Sequence, residues 1–202
     1  MQKDNTTLAR KVLLRKNLLK ELDDAPVILE THGGYGEVWK KVYSNIKRGI
    51  VFEKNPKKAE ALAKQRPSWA VYECDCINAL RHGVGSHLPV NFVDCDPYGQ
   101  PWPVLDAFFT SCRPFTNTLA VVVNDGLRQK LKMNGGWSVD SLIGIVTEYG
   151  NSALYENYLD ICQEILQKKA AQRGYALSRW TGYYCGYENQ MTHYAAILSK
   201  IN

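Results

Sequence analysis

Residues 91–109, NFVDCDPYGQPWPVLDAFF, end a short apolar run in two carboxylates, Asp94 and Asp96, and turn a Pro97-Tyr98-Gly99 corner. An amine attached to an aromatic ring is a poor nucleophile, because its lone pair is delocalised. A carboxylate such as Asp96 and a carbonyl such as that of Pro97 both accept N–H bonds. Held on a stiff corner, they would orient such an amine and meet the positive charge that builds on its nitrogen. The proline ring supplies the stiffness. Tyr98 offers a flat face on which a flipped base can stack, worth about 1–3 kcal/mol, and Gly99 removes bulk beside it. Asp94 either shapes the pocket floor or caps the next helix. The plainer alternative is a strand-to-turn connection in which Asp96 caps that helix.

A second group of residues belongs with the first. In VILETHGGYGEVW, residues 27–39, glycines stand between a strand and a helix, and Glu30 ends the strand. Such a turn bends sharply and lets a ligand approach the backbone. It is neither the G-x-G-x-x-G of a dinucleotide fold nor a Walker loop, which ends in Gly-Lys-Ser/Thr. A ligand-free turn fits the loop alone equally well. Glu53 ends the second strand, where a carboxylate can accept both hydroxyls of a ribose. Asp75 follows the third strand, placed to accept from an adenine amino group, although alone it reads as a helix cap. Acids at three successive strand ends, beside a Gly turn and without a phosphate loop, describe a pocket for a nucleoside that lacks phosphate.

The elements that must position these residues alternate. Residues 6–22 carry apolar positions at helical spacing with Arg10, Lys11, Arg15, Lys16 and Lys20 between them, an amphipathic helix stopped by Pro26. Strands are expected at VILET, GIVFE, WAVYEC, VNFVDC and TLAVVVND. Helices are expected in the stretches GGYGEVWKKVYSNI, NPKKAEALAKQ and PVLDAFFTSC, the second capped by Asn55 with Pro56 at its first position. Residues 140–173 read as helical up to Gly174, and SRWTGYYCGYENQMTHYAAILSK reads as a hairpin. Repeated strand–helix units imply a mostly parallel sheet with helices on both faces, and the hairpin adds antiparallel strands. Ligands in such folds lie at the carboxyl ends of the strands, at the switch point beside the first one.

Length and composition exclude other classes. A chain of 202 residues fits one domain with a sizeable core. The net charge of +5 permits a phosphate-rich partner without demanding one. No apolar run spans a bilayer, no secretory signal opens the sequence, and a cytoplasmic protein is expected. The six cysteines show no CxxC pair, so reduced, mostly buried thiols are expected and no metal site. His82 and His87, in a Gly-rich loop, should be solvated. The basic N-terminal helix, with Lys40, Lys41, Lys47 and Arg48 farther on and Arg128, Lys130 and Lys132 in LRQKLK, offers phosphate contacts or simply solvated faces. Asn124 and Asp125 after the fifth strand read equally as pocket lining or as a turn.

From residue 25 onward the arrangement resembles a class I S-adenosylmethionine-dependent methyltransferase. The resemblance implies an α/β, Rossmann-like fold with a seven-stranded, mostly parallel sheet and a C-terminal antiparallel hairpin. It divides the chain into an N-terminal basic helix, 1–24, and a methyltransferase domain, 25–202. It also implies S-adenosylmethionine as cofactor, held by Glu30, His32, Gly33, Gly34, Gly36, Glu53, Asp75, Cys76 and Asp94, with Asp96, Pro97 and Tyr98 catalytic. His32 stands where that family has the first glycine of its turn. Asp96-Pro97-Tyr98-Gly99 resembles the (D/N/S)-P-P-(Y/F) signature of amino methyltransferases acting on nucleobases. DCDPYGQPWPVLDAFF is more similar still to the tRNA guanine-N2 dimethyltransferases, whose additional C-terminal RNA-binding domain is not expected within these 202 residues. Methylation of an exocyclic base amine, in RNA before DNA, is the implied reaction. Methylation of DNA, a small molecule or a protein amine, or a non-catalytic binding partner, are the alternatives.

Overall fold

Strands that are apolar on both faces must lie between two helical layers, since either face left in water would expose a continuous hydrophobic strip. A computed structural model of the protein, describing residues 7–114, 116–129, 147, 150 and 152–201, has this arrangement. Helix α1 (Leu8–Leu19) precedes β1 (Ile28–Glu30), α2 (Glu37–Val42), β2 (Gly49–Glu53), α3 (Pro56–Gln65), β3 (Ala70–Glu73) and α4 (Cys76–Arg81). Then follow β4 (Phe92–Cys95), α5 (Trp102–Thr110), β5 (Thr118–Asp125), α6 (Tyr158–Ala171), β6 (Tyr175–Cys185) and β7 (Met191–Lys200).

The strands form one seven-stranded sheet in the order β3-β2-β1-β4-β5-β7-β6. The first five run parallel, and β7 lies antiparallel between β5 and β6. The order reverses between β1 and β4, so the chain leaves these neighbours in opposite directions and a crevice opens at their carboxyl ends. Register places Glu30 beside Asp94 there.

Each sheet face carries its own core. On one, Val93, Cys95, Val121 and Val123 meet Trp102, Leu105 and Phe108 of α5 and Tyr158 and Leu166 of α6. On the other, Ile28, Val51, Phe92 and Val122 meet Leu14 and Leu18 of α1, Tyr43, Leu62 and Trp69. The first helix therefore packs into the second core through Leu14 and Leu18.

Several elements have the expected bounds. Strands β2 and β5 match GIVFE and TLAVVVND, and α3 has Pro56 first and the Asn55 side chain accepting from Lys58 N–H at 3.2 Å. The first helix is shorter than expected and ends well before Pro26. Glu21, Asp23 and Asp24 follow, and negative charge at a helix C-terminus opposes the dipole. Of the stretch expected to be helical over 140–173, residues 152–156 and α6 are helical, and 140–146, 148, 149 and 151 lie outside the described residues. The hairpin is β6–β7, with a register shift between Leu177 and Arg179.

Candidate active site

The crevice between β1 and β4 is a cleft of ≈ 480 Å³, within the ordinary range for ligand sites. It brings together Glu30, His32, Gly33, Gly34, Gly36 and Glu53 with Asp94, Asp96, Pro97 and Tyr98. Two of the expected cofactor residues, Asp75 and Cys76, do not line it. The Asp75 Oδ1 caps α4, accepting from the Ile77 and Asn78 N–H groups at 3.1 Å, and the cap leaves Oδ2 unused. Cys76 reaches the cleft only through His32, whose Nε2 is 3.6 Å from its Sγ.

The Gly turn is tied down locally. Gly33 N–H donates to the Phe52 carbonyl at 3.0 Å, and Gly36 N–H to that of Gly33 at 3.0 Å. A Cβ on Gly33 would lie 2.4 Å from Leu62 Cδ1, so glycine is required for turn and α3 to touch. Gly36 has φ +75°, in the left-handed region. His32 does not prevent the turn. It lines the cleft with Nδ1 2.9 Å from Thr31 Oγ1, and burial lowers its pKa against the pull of Asp96, Glu53 and Asp75. Glu53 accepts Gly34 N–H and Asn55 N–H, one on each oxygen at 2.8 Å, which orients the carboxylate and leaves lone pairs for a ligand.

Buried carboxylates demand partners, and each of those at the strand ends has one. Glu30 pairs with Arg66, whose guanidinium lies 5.0 Å and 5.2 Å from the Trp39 and Trp69 ring centroids. Burial pushes the Glu30 carboxyl up to about 7 against the pull of Arg66. Asp94 takes Arg15 in a two-pronged contact, Nε to Oδ2 at 2.7 Å and Nη2 to Oδ1 at 2.5 Å, and the Tyr43 hydroxyl donates to Oδ2 at 2.7 Å. Burial would lower the Arg15 pKa, but Asp94 outweighs it and holds the guanidinium charged. Asp96 takes the Lys11 ammonium on both oxygens, at 3.1 and 3.0 Å. Desolvation would raise the Asp96 carboxyl, but Lys11 and Arg15 outweigh it and hold it below the usual carboxylate range.

At the corner, the Pro97 carbonyl accepts Gly99 N–H at 3.0 Å, which closes the turn and uses one of the two lone pairs expected to face the acceptor. Gly126 N–H donates to the Gly99 carbonyl at 2.9 Å, so the loop after β5 braces the corner. The Tyr98 ring is fully exposed at the mouth of the cleft. Neither Asp94 nor Asp96 caps α5, whose N-cap position is Pro101, with no side-chain cap among the described residues. Asn124 and Asp125 point to opposite faces. The Asn124 amide is buried beside Asp96 and, among the described residues, has no full hydrogen bond. Asp125 turns to the other core, where the Tyr158 hydroxyl donates to it at 2.6 Å.

Several cations differ from expectation. Arg15 is fully buried on Asp94, and Arg128 lies between the Tyr155 and Tyr184 rings, 3.8 and 3.9 Å from their centroids. Neither reaches a phosphate, because each is spent inside the protein. Lys130 and Lys132 lie outside the described residues. Arg10, Lys16, Lys20, Lys40, Lys41, Lys47 and Arg48 are exposed, as are His82 and His87. Cys76, Cys95, Cys162 and Cys185 are buried free thiols, while Cys112 is exposed. Among the described residues no group of His, Cys, Asp and Glu could hold a metal ion, and no helix is long and apolar enough to cross a membrane. Sequence reasoning missed Lys11, Arg15, Tyr43 and Arg66 as parts of the site. For the first two a signal existed: Lys11, Leu14, Arg15 and Leu18 share one helix face, and cations on a buried face require anions.

No protein-family model and no curated protein matches the chain. Solved structures do. Trm1 from Pyrococcus horikoshii, in complex with S-adenosyl-L-methionine, aligns with TM-score 0.64 at 12% identity over 100% of this chain, which spans 57% of that one. The N-methyltransferase NodS from Bradyrhizobium japonicum, with S-adenosyl-L-homocysteine, gives 0.64 at 9% identity, covering 99% of this chain and 90% of its own. TYW2 from M. jannaschii, with AdoMet, gives 0.55 at 14% identity, covering 100% and 78%. At these identities the likeness is one of fold: the chain has the Rossmann-like fold of class I methyltransferases.

Proposed function

We propose that the protein is an S-adenosylmethionine-dependent N-methyltransferase whose acceptor is an exocyclic amine of a nucleobase in RNA, acting in the cytoplasm. The observation that carries the reading is the single cleft in which the Gly turn and Glu53 meet the Asp96-Pro97-Tyr98 corner. The donor set fits the cofactor: an oriented carboxylate for a ribose, a Gly turn open to a nucleoside, and several acids that would repel a phosphate chain. Asp75 keeps its second oxygen for a donor at the adenine end. When bound, the cofactor would supply an electrophilic methyl on a cationic sulfur to the amine nitrogen, which would give up one N–H proton to water.

The chain's own residues do the rest. Asp96, held ionised by its cations, accepts an N–H of the amine and turns the nitrogen lone pair toward the methyl. The free lone pair of the Pro97 carbonyl takes the second N–H. The exposed Tyr98 ring stacks on the base. An RNA acceptor is favoured by the likeness of DPYGQP to the tRNA guanine-N2 dimethyltransferases and by exposed Arg10, Lys16 and Lys20 on the helix that borders the cleft.

Single-turnover methylation and cofactor binding, measured on three variants, test this assignment. Asp96→Ala should cost about a hundred- to a thousandfold in turnover with cofactor affinity little changed. Tyr98→Phe should keep most activity and Tyr98→Ala should fail in substrate use. Normal turnover by Asp96→Ala, or equal loss in the two Tyr98 variants, refutes it.

A further inference from the structure

The cleft is rich in carboxylates, and its cations have unequal freedom. Glu30, Glu37, Glu53, Asp94 and Asp96 line it. Arg66 and Arg15, which neutralise Glu30 and Asp94, are themselves fully buried and committed. Among the described residues, the cations that line the cleft are Lys11 and Lys58. Lys58 belongs to α3, beyond the Glu53 end, with its ammonium 4.8 Å from the Tyr35 ring centroid. Lys11 stands at the opposite end, over Asp96, with its side chain 20% exposed on the first turns of α1.

This placement creates a conflict and suggests its resolution. Both Asp96 oxygens hold the Lys11 ammonium, so the carboxylate that should accept an N–H of the acceptor amine, and meet its growing charge, is already neutralised by an ion pair. A cofactor laid with its ribose on Glu53 and its methyl toward Asp96 directs its amino-acid arm to the Lys11 end. That arm carries a carboxylate, which among so many acids needs a mobile cation. A lysine ammonium is a point charge on a flexible stem and changes partner without moving its helix.

Resting on the cofactor reading above, we propose that Lys11 recognises the amino-acid carboxylate of the cofactor and, in taking it, releases Asp96 to the acceptor amine. Lys11 is then a positioning residue that couples the two halves of the cleft. Cofactor binding precedes and prepares acceptor binding. No bond is made or broken in the exchange; one ion pair replaces another.

Calorimetry with two ligands tests it: S-adenosylhomocysteine, which has the carboxylate, and 5′-methylthioadenosine, the same thioether nucleoside without the amino-acid arm. The wild-type protein should prefer the first. Lys11→Met should lower affinity for S-adenosylhomocysteine about ten- to a hundredfold, the loss of one charge-assisted contact, and leave 5′-methylthioadenosine unchanged, which also reports that the variant is folded. Lys11→Arg, which keeps the charge, should stay near wild type. Unchanged affinities in Lys11→Met, or equal losses for both ligands, overturn the role of Lys11 while leaving the cofactor reading intact. Wild-type protein that binds neither ligand overturns the cofactor reading, and this inference with it.

Discussion

Replacing Arg15 with methionine should destabilise the protein severely, although the residue is one of several cations on an amphipathic helix. The Arg15 side chain is 0% exposed and that of Asp94 3%, and two hydrogen bonds of 2.7 and 2.5 Å join them. Arg15→Met keeps most of the aliphatic stem and so removes the charge with little change in packing. Asp94 would then stay buried with the Tyr43 hydroxyl as its remaining side-chain donor. Breaking a buried pair in this way costs about 3–5 kcal/mol, roughly a fifth or more of a stability of about 5–15 kcal/mol. In urea the unfolding midpoint should fall by about 1 M or more with an unchanged slope. Adding Asp94→Leu should recover much of the loss, since no unpaired charge then remains, and the cycle should give a coupling of several kcal/mol. A loss below about 1 kcal/mol for Arg15→Met, as an exposed pair would give, would show that Arg15 is solvated and that α1 is not anchored as described.

Two further outcomes are expected. Burial pushes the Asp125 carboxyl from 3.8 up to about 7 against the Tyr158 hydrogen bond. Its folded form therefore keeps a proton that the unfolded chain has lost, so its contribution is complete below about pH 4 and disappears as pH rises through about 7. Asp125→Asn should flatten the decline in stability between pH 5 and pH 8, measured by denaturant unfolding; an unaltered decline would mean that this carboxyl titrates normally. Glu53→Ala should weaken S-adenosylhomocysteine binding about ten- to a hundredfold by calorimetry, and Glu53→Gln, which keeps one acceptor, less. Equal affinity for the alanine variant and the parent would remove Glu53 from the site.

What the sequence revealed was mostly local. The Asn55 cap and Pro56 start, the Asp75 cap, the buried runs of β2 and β5 and the Pro97 corner each depend on neighbours in the chain, and each stands where local chemistry places it. What remained hidden was pairing at a distance. Arg15 meets Asp94 across 79 positions, and Lys11 meets Asp96 across 85. A basic helix therefore read as a phosphate contact although two of its five cations, Lys11 and Arg15, are held by internal carboxylates. Arg128 was misread for the same reason, its aromatic partners Tyr155 and Tyr184 lying far along the chain. The split of Asn124 from Asp125 follows from strand alternation: β5 continues to Asp125, so a pair read together, as pocket lining or as a turn, faces opposite sides of the sheet.

Transfer of labelled methyl from S-adenosylmethionine to total tRNA, rRNA, DNA and protein extract, followed by identification of the labelled product, tests the central claim most directly. Label should appear on an exocyclic base nitrogen in RNA and be all but absent with Asp96→Ala. Label confined to protein, or placed on a ring carbon, or undiminished in Asp96→Ala, would contradict it.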